Sequence, residues 1–306
     1  LAGVPRPGPH IAFRGDCMAF CYMNGEFIPR DAATLPITDL AIQRGVGVFD
    51  SIRTYRRKPF TLTAHLDRLF SSAREARIEP PVTDEALRRV IFDGISRMEG
   101  ECLVRPFITG GDVNLSGTFP RARFFVLFEP LRPLPPERYA EGVLLLPLEL
   151  RRSTPTTKSI DYMAPLMARG GREDVFEILY CSDGEITEAT SSSFFLVHGG
   201  KILTAPLEQV LSGVTRGLVL QVARDGGFVV EERCPRLDEL ATASEAFIAS
   251  TIKEVLPVVR VGDVVLGDGK PGPVARHLRK LYLDQVDRWL ESPSEPPAHG
   301  MGKLSL

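Results

Sequence analysis

The chain has 306 residues, of which 43% are hydrophobic and 25% charged, with a formal net charge of -2. This composition describes a globular protein with a buried core and gives no electrostatic reason to expect nucleic acid or membrane partners. No apolar run approaches the roughly 20 residues that span a bilayer, and the opening LAGVPRPGPHIAF lacks the charged and apolar regions of a signal peptide, so a soluble protein is expected. The cysteines Cys17, Cys21, Cys102, Cys181 and Cys234 are scattered and form no CxxC pair, which suggests neither disulfides nor zinc and fits a cytoplasmic setting.

After a Pro-rich lead-in, AFCYMNGEFIP predicts a hairpin turning at Asn24-Gly25. VGVFDSIRTY has strand composition. LTAHLDRLFSSAREARI and TDEALRRVIFDGISRM repeat apolar residues at helical spacing, the second behind a Thr or Asp cap, and CLVRPFITGG and RARFFVLFEP read as strands. The closely spaced prolines of LRPLPPERY deny helix and strand alike, so a linker is expected there. Beyond it, EGVLLLPLEL, DVFEILYCSDG, SSSFFLVHGGKILT and AFIAS read as strands, while TRGLVLQVARDGG and GPVARHLRKLYLDQVDRWL read as helices. The expected organisation is mixed α+β: a small N-terminal α/β domain over 1–130, a linker over 131–139, a larger strand-rich domain over 140–290 and a tail over 291–306.

Lysine is scarce, occurring only at 58, 158, 201, 253, 270, 280 and 303. Lys58, Lys201, Lys270 and Lys280 read as surface charges. Lys158 in TPTTKSIDYM stands apart because it precedes, in order, Glu188 in DGEITEATSSSFF, then LSGVTR, then ASTIKEVLPV. A lysine able to form a Schiff base, a carboxylate able to keep a pyridinium nitrogen charged, and small-residue turns offering amides to a phosphate are the parts that pyridoxal phosphate chemistry needs. Ser212-Gly213-Val214-Thr215-Arg216 opens a helix, where free N–H groups and the helix dipole suit an anion. Ser250-Thr251 at the end of AFIAS is a second hydroxyl and amide source.

In this order the motifs YMNGEFIP, GVFDSIRTY, HLDRLFSSA, KSIDYM, ITEATSSSFF, LSGVTR and SEAFIASTIKEVLPV resemble those of the fold-type IV pyridoxal phosphate enzymes, the class IV aminotransferases, over roughly residues 20 to 260. The resemblance implies a two-domain fold-type IV enzyme and a role for each matching position. Lys158 would be the Schiff-base lysine and the proton carrier. Arg68 would clamp the phosphate together with the amides of Val214 and Thr215 and the hydroxyls of Thr215, Ser250 and Thr251. Glu188 would pair with the pyridine nitrogen, and Tyr162 would hydrogen-bond the phenolic oxygen. Arg105 would read a second substrate carboxylate, with Phe49 and Arg44 lining the substrate pocket. A homodimer with sites near its interface is also implied.

Amino acids and 2-oxo acids are the partners so implied, with a branched-chain-like range on RPFITGGDV. Arg44, standing where branched-chain enzymes carry an aromatic, keeps D-amino acid transamination open. Asp161 and Ser193 replace asparagines common in the family. A carbon-carbon lyase of the aminodeoxychorismate type and a non-catalytic cofactor-binding protein are the further alternatives. The short Gly45-Val46-Gly47 lacks the full dinucleotide-loop pattern, and the histidines show no metal spacing, so no metal is expected.

Overall fold

The computed structural model describes residues 19–112 and 119–292, so the expected lead-in, nearly all of the expected tail and part of ITGGDVNLSGTFP lie outside the described residues. The chain divides into two compact units, Leu1–Arg132 with Thr157–Asp161, and Pro133–Thr156 with Tyr162–Leu306.

The first unit holds strands β1 (Phe20–Met23), β2 (Glu26–Pro29), β3 (Gly47–Phe49), β4 (Ile52–Tyr55), β5 (Lys58–Pro59), β6 (Cys102–Thr109) and β7 (Arg123–Pro130), with helices α1 (Leu40–Arg44), α2 (Leu62–Glu75) and α3 (Asp84–Arg97). The strands form one sheet in the order β2-β1-β7-β6-β4-β5, with β3 also on β6. The β1–β2 turn is the expected one: Asn24 and Gly25 have φ of 53° and 93°, the pair of positive values that a tight hairpin turn with the twist of its strands requires. The single strand expected over VGVFDSIRTY is two, because Asp50 and Ser51 leave the ladder between β3 and β4. Helix α3 starts where expected, the Thr83 hydroxyl accepting from the Ala86 N–H at 3.2 Å. Leu66, Leu69 and Ala73 of α2 and Ile91 and Ile95 of α3 close over Val104, Val126 and Phe128 of the sheet, each large side chain contributing roughly 1.5–3 kcal/mol on burial.

The second unit holds β8 (Val143–Glu149), β9 (Val175–Ser182), β10 (Glu185–Ala189), β11 (Ser192–His198), β12 (Lys201–Thr204), β13 (Val229–Glu232), β14 (Glu245–Ser250), β15 (Glu254–Val261) and β16 (Val264–Val265), with α4 (Pro136–Glu141), α5 (Met163–Arg169), α6 (Val214–Asp225) and α7 (Pro273–Glu291). Helix α4 corrects the expectation that LRPLPPERY stays irregular. Pro136 occupies the first helical turn, where its fixed φ suits the helix and no N–H is missed. The sheet order is β10-β9-β8-β15-β14-β11-β12-β13, and β10 also pairs with β11, so six strands close on one another. Closure removes two edges and leaves an interior filled by Leu145, Leu179, Phe194, Ile248 and Leu256.

Candidate active site

Lys158 belongs to the first unit although the residues on both sides of its segment belong to the second. The cause is backbone pairing. The Phe49 N–H donates to the Lys158 carbonyl at 3.1 Å, the Ile160 N–H to the Gly47 carbonyl at 3.1 Å, and Val48 bridges Ser159, so residues 157–161 lie antiparallel to β3. Helix α2 holds the same segment: the Ser72 hydroxyl accepts from the Lys158 N–H at 3.1 Å, and the Thr157 hydroxyl donates to Glu75 at 2.8 Å. The Lys158 Nζ stands 4.8 Å from the centroid of the Phe49 ring.

On α2 the buried face runs Leu62, His65, Leu66, Arg68, Leu69, Ser72 and Ala73. The two titratable side chains on that face, His65 and Arg68, must find partners, and Asp50 provides them. Its Oδ2 accepts from the Arg68 Nε at 2.8 Å, and its Oδ1 accepts from the Arg68 Nη2 at 2.7 Å and the Ser51 N–H at 2.7 Å, with His65 Nδ1 also at 2.7 Å. Burial of Asp50 opposes its charge, but the charges of Arg68 and then His65, with their hydrogen bonds, hold its carboxyl well below the usual carboxylate range. Burial lowers His65, and Asp50 only partly offsets this, so the ring is neutral near pH 7 and donates from Nδ1 to the carboxylate. Arg68 is thus held as a rigid fork on a fully buried carboxylate.

Strand β6 alternates its exposure, leaving Leu103, Arg105 and Phe107 on the half-buried face. Phe107 stacks on Phe49 at 5.3 Å and on Phe125 of β7 at 4.9 Å. Arg105 lies 5.9 Å from the Phe107 ring centroid and is ion-paired with Glu129 of β7. Arg44 ends α1 and is exposed, donating to the Gln43 carbonyl at 2.8 Å.

In the second unit Glu188 sits fourth in β10 and is 5% exposed. Its Oε1 accepts from Arg152 at 2.6 Å and its Oε2 from the Leu211 N–H at 3.3 Å. Glu188 lies opposite Ser193 of β11, and Ser193 opposite Ala249 of β14. That register brings Ser250 and the turn residue Thr251 to the end of the sheet that carries Glu188. Helix α6 begins there too. A Cβ added to its N-cap Gly213 would come within 2.8 Å of the Ser193 Oγ and 2.9 Å of the Arg216 Cβ, so only glycine allows this approach. The N-cap Gly213 supplies no side-chain cap, and the first-turn amides of a helix look outside it for acceptors. Thr215 is buried. Burial pushes the Tyr162 phenol up to about 12, with Arg152 opposing and Tyr180, Glu177 and Glu188 adding to the rise, so it remains a neutral donor.

The structure therefore gathers the sequence-predicted residues, apart from the exposed Arg44, in two groups. Lys158, Phe49 and Arg105 are linked through the Phe49 and Phe107 rings of the first unit, and Arg68 is paired with Asp50. Glu188, Val214, Thr215, Ser250 and Thr251 share one end of the second, with Tyr162 within the field of Glu188. Arg216, part of the SGVTR motif, turns away: it is buried, donating to the Ala205 carbonyl at 2.8 Å and to Glu232 at 2.9 Å. Sequence reasoning missed Asp50, Arg152, Glu129 and the pair of Lys253 with Glu177, which is completed by the hydroxyls of Ser191 and Ser192 at 2.8 and 3.0 Å. Among the described residues no cluster fit to hold a metal occurs, and no helix is long and apolar enough to cross a membrane.

The residues of each unit suit pyridoxal phosphate: in the first a lysine amine beside an aromatic ring, and in the second a buried carboxylate for a pyridinium nitrogen, a neutral phenol and a helix start whose N-cap is glycine. Comparison with known proteins agrees. The chain is 28% identical over 295 residues to branched-chain-amino-acid aminotransferase-like protein 1 of Arabidopsis thaliana, a match covering 92% of this chain and 53% of that protein, so it spans about half of that relative's length. It is 29% identical to the D-alanine aminotransferase of Bacillus licheniformis over 275 residues, 86% of this chain and 95% of the relative. The T.th. branched-chain amino acid aminotransferase, solved with N-(5'-phosphopyridoxyl)-L-glutamate, shares its fold with a TM-score of 0.78 at 26% identity, covering 90% of this chain and 96% of that one. The family model for amino-transferase class IV matches residues 47–261, a span that takes in Lys158, Glu188 and α6, and the chain belongs to that family.

Proposed function

We propose that this chain is a pyridoxal phosphate-dependent transaminase exchanging an amino group between an amino acid and a 2-oxo acid, with a branched-chain-like donor range. The observation that carries the reading is Lys158, held by β3 and Ser72 with its amine over the Phe49 ring, in a chain whose matched family span includes it. Pyridoxal phosphate, when bound, supplies the sink for the electron pair left when the donor's Cα proton is removed. The residues of this chain do the rest. Lys158 Nζ would hold the cofactor and, once free, would be the base that takes the proton from the donor's Cα. Glu188, fixed by Arg152 and the Leu211 amide, keeps the ring nitrogen protonated. Tyr162, a neutral phenol, would hydrogen-bond the cofactor's ring oxygen. The amides of Val214 and Thr215 with the hydroxyls of Thr215, Ser250 and Thr251 would hold the phosphate, and the family resemblance gives Arg68 the part of its cationic clamp. Phe49, Arg105 and Arg44 face the substrate.

A homodimer in the cytoplasm is part of the same reading, as the family resemblance and the scattered cysteines suggest. The D-alanine aminotransferase relative supports a second donor range, D-amino acids. The test is to load the protein with pyridoxal phosphate, reduce it with borohydride and map the added mass. Label on Lys158, its loss in Lys158→Ala, and amine transfer from leucine or D-alanine to 2-oxoglutarate are expected. A protein that retains no cofactor, or carries the label on another lysine, overturns the reading. Leucine against D-alanine as donor decides between the two ranges.

A further inference from the structure

We propose that Tyr139 and Arg279 are positioning residues for the cofactor phosphate: through Lys253 and Glu254 they fix the turn that carries Ser250 and Thr251. The inference rests on the transaminase reading and deepens it. All of these residues belong to the second unit. Strands β14 and β15 pair antiparallel with Ser250 opposite Glu254, so the connection between them is only Thr251, Ile252 and Lys253. Glu254 closes that turn with a φ of 55°, in the left-handed region that glycine adopts freely and a longer side chain only under strain. Such a conformation persists where the surroundings over-determine it. Glu254 is moreover 7% exposed, and a buried carboxylate needs donors.

Two helices supply both constraints. Arg279 of α7 donates from Nε at 3.0 Å and from Nη2 at 2.8 Å to the same Oε2 of Glu254. Its guanidinium lies 3.8 Å from the centroid of the Tyr139 ring, a cation–π contact. Tyr139 stands on α4, the short helix in the segment expected to be a linker, and its hydroxyl donates to the Lys253 carbonyl at 3.3 Å. One aromatic side chain thus holds the arginine that holds Glu254, and also the peptide just before it. The Lys253 amine is engaged by Glu177, Ser191 and Ser192. Residues 253 and 254 are therefore fastened at carbonyl, amine and carboxylate, and none of these contacts uses the hydroxyl of Ser250 or Thr251. Donors fixed in direction before a ligand arrives bind it without the cost of ordering them. A merely structural role for Tyr139 and Arg279 would tie α4 and α7 to the sheet and be indifferent to whether a ligand carries a phosphate.

The test uses the full-length chain freed of cofactor, titrated with pyridoxal phosphate and with pyridoxal, which differs in lacking the phosphate, and followed by absorbance. Tyr139→Phe keeps the ring at Arg279 and removes the bond to the Lys253 carbonyl, whereas Arg279→Met removes the fork on Glu254. Affinity for pyridoxal phosphate should fall about threefold in the first and about tenfold or more in the second, with affinity for pyridoxal within about twofold of native, because only donors to the phosphate are released. Thermal melting of the cofactor-free chains separates this from loss of fold, and Tyr139→Phe decides alone should Arg279→Met fail to fold. Equal losses for both ligands, or pyridoxal phosphate affinity unchanged in the variants, overturn the proposal. So does a native chain that binds the two ligands equally, since its turn then holds no phosphate. A native chain that prefers pyridoxal phosphate and loses that preference in the variants, yet moves no amine, would instead overturn the transaminase reading and leave the role of Tyr139 and Arg279 standing.

Discussion

Asp50→Asn isolates the most concentrated charge in the first unit. The carboxylate is fully buried, carries two bonds from Arg68, one from His65 and one from the Ser51 amide, and is the anion paired with the Arg68 cation. Asparagine keeps the shape but leaves a buried guanidinium facing a neutral amide. Breaking a buried pair from one side costs about 3–5 kcal/mol because the surviving charge stays desolvated. For a unit of this size that corresponds to a fall of roughly 10–20 °C in the melting transition. Calorimetric melting at pH 7 measures it. Adding Arg68→Met should recover at least about half of the loss, since removing both charges removes the desolvation cost. A loss below about 1 kcal/mol, or a double variant no better than Asp50→Asn, would show that Arg68 is balanced elsewhere and refute the reasoning.

The same cluster fixes a pH dependence. The native His65 pKa lies below its unfolded value near 6.5, so the unfolded chain takes up this proton first and stability falls as pH drops below about 6.5. The Asp50 carboxyl is held below its unfolded value. Its contribution is present above about pH 4 and lost as pH falls further. Both act in one direction, toward weaker folding in acid. His65→Gln should flatten the upper window and leave the lower one, as urea titrations at a series of pH values would reveal. A native chain equally stable at pH 7 and pH 5 would contradict this.

Lys253→Met strands the buried carboxylate of Glu177 and should cost about 3 kcal/mol, part of it restored by adding Glu177→Gln; melting curves of the two variants decide. Gly94→Ala tests packing against propensity. Alanine favours the α3 interior by about 1 kcal/mol, but its Cβ would fall 2.1 Å from the Phe128 ring, so a net loss of about 1–3 kcal/mol in urea denaturation is expected. A stabilised variant would mean that Phe128 shifts freely. Glu188→Gln should lower amine transfer at least about 100-fold, because a neutral amide no longer keeps the ring nitrogen charged. Activity within about threefold of native would remove Glu188 from that role.

What the sequence made legible was whatever repeats locally. The Asn24-Gly25 hairpin, the apolar stripes of α2, α3, α6 and α7, and the strands flanking them come from spacing and turn chemistry alone. The Pro-rich segment misled because proline forbids helix interiors but suits helix starts, and Pro136 stands at a start. The strand expected over VGVFDSIRTY broke because Asp50 leaves the ladder to serve α2. Motifs singled out Lys158, Glu188 and the turn around Gly213, each marked by its neighbours in the chain. Their partners were invisible for a physical reason. Arg152 meets Glu188 across 36 residues, Arg105 meets Glu129 across 24, and Arg68 meets Asp50 across 18. A charged residue announces that it needs a counter-charge but not which one, since the choice is made by strand register and helix docking.

One of these partners did leave a trace in the pattern. The α2 stripe places His65, Arg68 and Ser72 among leucines at helical spacing, and burying charged or polar groups there is costly unless each is answered. A polar intrusion into an otherwise apolar face therefore predicts an answering group from a neighbouring element. The acid nearest in sequence to the strand packed on α2 is Asp50, between β3 and β4, and it answers two of the three. The third, Ser72, accepts the Lys158 amide, and so the same rule leads from the helix to the lysine. Polar residues at stripe positions of α2 are thus tied to the candidate site on one side and to Asp50 on the other, which is why a substitution at Asp50 is expected to be felt as loss of fold before it is felt as loss of chemistry.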